Sequence, residues 1–268
     1  MNLKDLNERQ LEAVTHTEGP LLIIAGAGSG KTRAMTYRIA HLIEQGVKPW
    51  NILALTFTNK AAREMFNRVE KLAGVKAEDI WIGTFHSICV RILRRDIEKI
   101  GYQRNFTIYD DDDQQRVIKD LFKRFEIDDK ELTVREVRKA IGDAKNKLMN
   151  ADDWFKESRR DRRAQAIHDV FAAYDARLKA ANALDFDDLL NKTLELLLDH
   201  PPVLAHYRDR FQYVHVDEYQ DTNLAQYTLV KLLTEENRNL CVVGDDDQSI
   251  YGWRGADIRN ILEFNKDF

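Results

Sequence analysis

Leu21-Leu22-Ile23-Ile24-Ala25-Gly26-Ala27-Gly28-Ser29-Gly30-Lys31-Thr32 carries an apolar run straight into a glycine-rich turn and a lysine. The run has strand length and branched side chains, and residues 31–45 after it show helical spacing. A strand that turns through glycines into a helix is the setting a phosphate-binding loop requires. Gly26, Gly28 and Gly30 let backbone N–H groups curl around phosphate oxygens, and the helix N-terminus adds its dipole. Lys31 is placed to reach the β- and γ-phosphates of a nucleotide as a point charge, and Thr32 offers a hydroxyl to Mg²⁺. Ala25 stands where the general pattern has glycine, and it is small enough for the first turn out of a strand.

Outward from the loop, four further apolar runs have strand character: residues 52–56, 80–84, 213–216 and 240–244. Helical patterns at 31–45 and 60–73 separate the first three strands, the signature of a parallel sheet covered on both faces. From about Ser87 to Arg210 the spacing is helical, as in Val117-Ile118-Leu121-Phe122 and Val170-Phe171-Tyr174-Leu178. The expected fold is α/β, a parallel sheet interrupted by an all-helical insertion. Its divisions are 1–87, 88–210 and 211–268. Within the insertion, the run Asp110 to Asp113 reads as a helix cap, with Asp111 and Gln114 at capping-box spacing, in preference to a metal site. Arg159-Arg160-Asp161-Arg162-Arg163 reads as a solvated helix face.

Composition restricts the partners. Charged residues make up 32% and hydrophobic residues 44% of 268, which fits a folded globular chain and argues against disorder. A formal net charge of -4 gives no bulk attraction to polyanions, so any nucleic acid has to be held by a local cluster. Cys89 and Cys241 form no CxxC pair and lie in apolar stretches, so they read as reduced, buried thiols of a cytoplasmic protein. The N-terminus lacks an apolar signal core, and no run approaches the ~20 apolar residues that span a bilayer. No membrane partner is expected.

A phosphate loop needs an acid to hold the metal and one to orient water. Val214-His215-Val216-Asp217-Glu218 ends a strand in two carboxylates, which assigns Mg²⁺ to Asp217 and polarisation of the attacking water to Glu218. His215 alternates with apolar residues and reads as packed. Aromatic residues follow three strand ends: Phe57 with Thr58 and Asn59, Phe85 with His86, and Tyr251-Gly252-Trp253-Arg254. Aromatic platforms beside polar groups at one sheet edge suit single-stranded nucleic acid, although each alone reads more often as packing.

AGAGSGKT (25–32), TFTNKAA (56–62), GTFHS (83–87), DEYQDTN (217–223) and VGDDDQSIYGWRGAD (243–257) resemble, in order and spacing, the N-terminal half of superfamily 1A DNA helicases of the UvrD/PcrA/Rep family. The resemblance runs from Leu6 to Phe268 and implies a RecA-like P-loop NTPase sheet, domain 1A, with the helical insertion as subdomain 1B. It implies that Asn7 and Gln10 recognise adenine, that Arg33 flanks the base, and that Gln248 senses the γ-phosphate with Arg254 in the same coupling network. It also adds Phe186 to the DNA-facing residues. The implied activity is ATP- and Mg²⁺-dependent 3′-to-5′ unwinding of DNA, with single-stranded DNA and single/double-strand junctions as partners. A second RecA-like domain carrying arginine fingers completes that site. The expectation for these 268 residues alone is weak ATP binding, poor hydrolysis and no unwinding. The alternatives are a P-loop phosphotransferase, which needs an arginine-rich lid, and a non-catalytic ATP- and DNA-binding module, against which the intact Lys31, Asp217, Glu218 and Gln248 weigh.

Overall fold

A computed structural model describes residues 1–26, 28–74, 77–245, 256–257 and 259–268. In chain order the first elements are α1 (Glu8–Thr15), β1 (Leu21–Ile24), α2 (Lys31–Glu44), β2 (Ile52–Thr56), α3 (Asn59–Ala73), β3 (Trp81–Thr84) and α4 (Phe85–Asp96). Next come β4 (Thr107–Tyr109), α5 (Asp111–Arg124), α6 (Val134–Asn146), α7 (Ala151–Glu157), α8 (Arg162–Ala180), β5 (Ala183–Asp185) and α9 (Phe186–Asp199). The chain continues with α10 (Pro201–Arg210), β6 (Tyr213–Val216), α11 (Leu224–Thr234), β7 (Leu240–Gly244), α12 (Arg259–Leu262) and α13 (Phe264–Asp267).

The residues fall into two compact units. Unit 1 is Met1–Ile88, His200–Thr222 and Gln226–Phe268; unit 2 is Cys89–Asp199 and Asn223–Ala225. In unit 1 the five strands form one parallel sheet in the order β1-β7-β6-β2-β3. This is the parallel α/β sheet anticipated from the apolar runs. Met35 and Ile39 of α2 and Met65 and Val69 of α3 pack with Ile52, Ala54, Cys241 and Val243 of the strands into one fully buried cluster. Each of the buried Met, Ile and Val side chains contributes roughly 1.5–3 kcal/mol relative to exposure. Parallel register puts every strand's C-terminus along one edge, where the loop after β1, Phe57 after β2, Phe85 after β3, Asp217 after β6 and Asp245 after β7 all lie.

Unit 2 is mostly helical, packed around Ile118, Leu121, Val137, Ile141, Val170, Phe171 and Tyr174. It also contains a two-stranded parallel sheet of β4 and β5, which the all-helical expectation lacked. Strands of three residues are too short to show an alternation. Residues 200–210, expected in the insertion, belong to unit 1, where Tyr207 and Phe211 flank Trp81 of β3 at 6.3 and 5.1 Å between ring centroids.

Two local expectations shift. The cap of α5 is Asp110, paired with Asp113 in a reciprocal capping box, one residue earlier than the Asp111 spacing suggested. The arginine run is not one helix face: Asp161 caps α8, and Arg160 precedes it with a left-handed φ of 55°. Cys89 and Cys241 are buried free thiols, pushed up to about 12 and about 11 by that burial, so both stay protonated and inert. Among the described residues, no helix is long and apolar enough to cross a membrane.

Candidate nucleotide site and sheet edge

The loop after β1 starts as a continuation of the ladder, with Ala25 N–H donating to the Gly244 carbonyl at 3.2 Å. Gly28 and Gly30 then take φ of 75° and 82°, a left-handed conformation that lets the chain reverse into α2. Gly30 is the N-cap of α2 and offers no side-chain cap, so the first N–H groups of the helix point to the loop without a protein acceptor from that residue. The Ser29 side chain turns inward and donates to the Gly26 carbonyl at 2.6 Å.

Lys31 is 8% exposed. Its Nζ lies 3.8 Å from Asp245 Oδ2, and among the described residues it makes no hydrogen bond. An ammonium out of water with one long ion pair and three unused N–H groups is costly unless an anion completes it. This is the strongest physical sign that the cradle fits phosphate.

The acids stand at the end of β6. Asp217 N–H extends the ladder to the Leu55 carbonyl at 3.0 Å, and Asp217 Oδ1 accepts from the Glu218 N–H at 2.9 Å. Burial, then the charge of Glu218, pushes the Asp217 carboxyl up to about 6; the Glu218 N–H, Lys31 and a hydrogen bond with the Thr32 side chain pull the other way. A buried carboxylate short of positive charge, beside a hydroxyl, is an oxygen donor set suited to a hard divalent cation. No group of three or more His, Cys, Asp and Glu able to hold a metal occurs among the described residues. Mg²⁺ characteristically binds through one or two carboxylates plus phosphate oxygens. His215 is buried with both ring nitrogens unpartnered, and burial followed by the charge of Arg38 lowers it to about 3, so it stays neutral and packed.

Beside the loop, a cavity of about 700 Å³ is lined by Asn7, Gln10, Ile24, Ser29 and Lys31 among others. Asn7 and Gln10 form the capping box of α1: Asn7 Oδ1 accepts from the Gln10 N–H, and Gln10 Oε1 accepts from the Asn7 N–H. Gln10 Nε2 also donates to the Ser29 carbonyl at 3.2 Å, so one side chain joins the helix start to the loop. The Arg33 guanidinium donates to the Asp5 carbonyl at 3.0 Å and lies over the Tyr37 ring.

The aromatic edge is only partly as expected. Phe57 is half-buried, and its ring packs 5.4 Å from Phe85, centroid to centroid. Phe85 is 1% exposed, so it cannot offer a stacking face here; it backs Phe57 instead. The Thr58 hydroxyl caps α3 by accepting from the Ala61 N–H, while Asn59 is exposed and His86 half-buried. Phe186, 46% exposed, opens α9 in unit 2. Ala27, Gln248, Tyr251, Trp253 and Arg254 lie outside the described residues.

Sequence reasoning missed two residues. Arg38 is 1% exposed and donates to the carbonyls of Ala13, His16 and Thr17, clamping the end of α1 onto α2. Gln220 is also 1% exposed and bridges Glu218 to the end of β7. The single arginine inside an otherwise apolar stretch of α2 was a readable signal for the first; the second lies within the DEYQDTN stretch (217–223), where sequence reasoning assigned it no role.

The family model described as UvrD/REP helicase N-terminal domain matches residues 6–268. The chain belongs to that family. It is 58% identical over 267 residues to the ATP-dependent DNA helicase PcrA of Staphylococcus aureus (strain Mu50), covering 99% of this chain and 36% of that protein. The ATP-dependent DNA helicase PcrA of Staphylococcus epidermidis (strain RP62A) is 57% identical over the same coverage. The chain therefore spans 36% of the length of the curated relatives it matches.

Proposed function

We propose that this chain is the ATP-binding first motor half of an ATP-dependent 3′-to-5′ DNA helicase of the cytoplasm. Joined to a second RecA-like domain, it binds single-stranded DNA and junctions and unwinds duplexes. Unit 1 then corresponds to domain 1A and unit 2 to the insertion 1B. The observation that carries the reading is the buried Lys31 ammonium, unsatisfied by hydrogen bonds at the end of a glycine turn.

In this reading the loop N–H groups and Lys31 bind the phosphates of ATP, and Asn7 and Gln10 select adenine. Thr32 and Asp217 would hold Mg²⁺, which supplies positive charge against the phosphates. Glu218 orients the attacking water, while Gln248 and Arg254 couple that step to DNA. Phe57, supported from behind by Phe85, gives a base a surface to stack on, with Thr58, Asn59, His86, Tyr251, Trp253 and, from the insertion, Phe186 as further contacts.

Titration with ATP, GTP and a fluorescent single-stranded oligonucleotide tests this. ATP binds more tightly than GTP, and Phe57→Ala weakens oligonucleotide binding by about 1–3 kcal/mol, the worth of one base–aromatic stack. The 268-residue chain alone separates no strands. A chain that binds neither ATP nor single-stranded DNA overturns the proposal.

A further inference from the structure

We infer that Gln220 is a positioning residue that fixes the Glu218 carboxylate and ties it to the end of β7; the inference rests on the ATP-hydrolysing reading of the site. Gln220 lies in the tight turn Tyr219–Asp221 that follows β6. Its Nε2 donates to Glu218 Oε2 at 2.6 Å, and its Oε1 accepts from the Asp245 N–H at 3.1 Å. These partners allow only one orientation of the amide, because a flip would set oxygen against carboxylate and N–H against N–H.

The surroundings are built around that amide. A Cβ on Gly244 would stand 2.7 Å from Gln220 Oε1 and 2.7 Å from Ile261 Cδ1, so a larger residue there displaces the side chain. Glu218 needs such a restraint. Its backbone is left-handed, φ 50° and ψ 46°, a conformation that costs a side-chain-bearing residue energy and persists only where neighbours enforce it. Asp245 in turn lies 3.8 Å from Lys31 Nζ. One amide thus links the acid that orients water to the strand end and, through Asp245, to the lysine that binds phosphate. Gln220 acts through Glu218 and not on the nucleotide itself.

Gln220→Glu is the informative variant. It keeps the length and the acceptor for Asp245 N–H, but sets a carboxylate against Glu218. Wild type, Gln220→Glu, Glu218→Gln and the double variant are compared by single-turnover ATP hydrolysis with the chain joined to a second RecA-like domain and in excess over ATP. Affinity for ADP with Mg²⁺ and aluminium fluoride, a transition-state analogue, gives a second reading that needs no turnover. Gln220→Glu lowers the rate and the analogue affinity by about tenfold or more, as misplacement of a reacting group does. ATP affinity stays within about threefold, and the change adds nothing in the Glu218→Gln background, as expected of residues acting as a unit. Independent, multiplicative losses in the double variant overturn the inference, as does a wild-type rate and analogue affinity in Gln220→Glu. A wild-type chain that binds no ATP removes the underlying reading, and the inference with it; normal wild-type binding with an unaffected Gln220→Glu removes the inference alone.

Discussion

Lys31 and Lys145 are both buried, at 8% and 3% exposure, and their surroundings are opposite. Lys145 in α6 meets Asp175, Asp185 and Asp188 at 3.0, 2.9 and 2.8 Å, with the Tyr174 ring 5.0 Å away. Burial alone would pull its ammonium down, but the three carboxylates hold it well above its ordinary value. Asp185 and Asp188 also cap each other's backbone N–H at the start of α9, so Lys145 fixes a helix start. Lys31 has one ion pair at 3.8 Å and no hydrogen bond among the described residues. A buried lysine whose donors are spent is structural. One whose donors are unspent, as at Lys31, is what the proposed phosphate site needs.

The contrast is easiest to break at the satisfied lysine. Lys145→Met leaves three carboxylates facing one another in unit 2, and we expect a loss of about 3–5 kcal/mol in urea denaturation, the usual cost of breaking a buried ion pair from one side. A loss near zero would mean the network is a bystander.

A comparable effect, spread over pH, follows from the surplus of acids over that one lysine. Burial, reinforced by Asp185 and Asp175 against the pull of Lys145, pushes the Asp188 carboxyl up to about 7. Its folded value exceeds its unfolded one, so the folded protein holds a proton that the unfolded chain has released. Stability from this group therefore falls as pH rises from ~4 to 7, by at most about 1.4 kcal/mol per pH unit. Asp188→Asn should flatten that part of the stability curve; an unchanged slope would assign it elsewhere.

The smallest effect belongs to an exposed ion pair. His168 bonds Asp152 at 2.7 Å and Asp169 at 3.1 Å, and the Asp152 bond leads in raising its value. A raised histidine contributes stability that is full below its unfolded value near ~6.5 and lost as pH rises through the folded one. In solvent this amounts to well under about 1 kcal/mol, and Asp152→Asn should reduce it in melts at pH 6 and 8.

The difference between the two lysines also explains what could be read in advance. The sheet and the phosphate loop were legible because each is local: apolar runs, glycines and Lys31 lie within a dozen adjacent positions. The paired acids after β6 were legible for the same reason. Gln220 was not, since its partner Asp245 is 25 residues away and only the adjacency of β6 and β7 brings them together. The burial of Phe85 depends on the packing of Phe57, and the Lys145 network joins residues 40 and 43 apart. The cap of α5 slipped by one position because four aspartates in a row offer several equivalent capping registers.

We propose that the unspent donors of Lys31 exist for phosphate. Calorimetric titration of ATP with Mg²⁺ into wild type and Lys31→Met, with urea denaturation of both, tests it most directly. Loss of charge-assisted hydrogen bonds worth roughly 1.5–3 kcal/mol should weaken ATP binding by about tenfold to a hundredfold. Folding stability should fall by much less than in Lys145→Met, because only one long ion pair is broken. Equal affinity for ATP in the two proteins, or a stability loss as large as that of Lys145→Met, would show that those donors serve the fold and not phosphate.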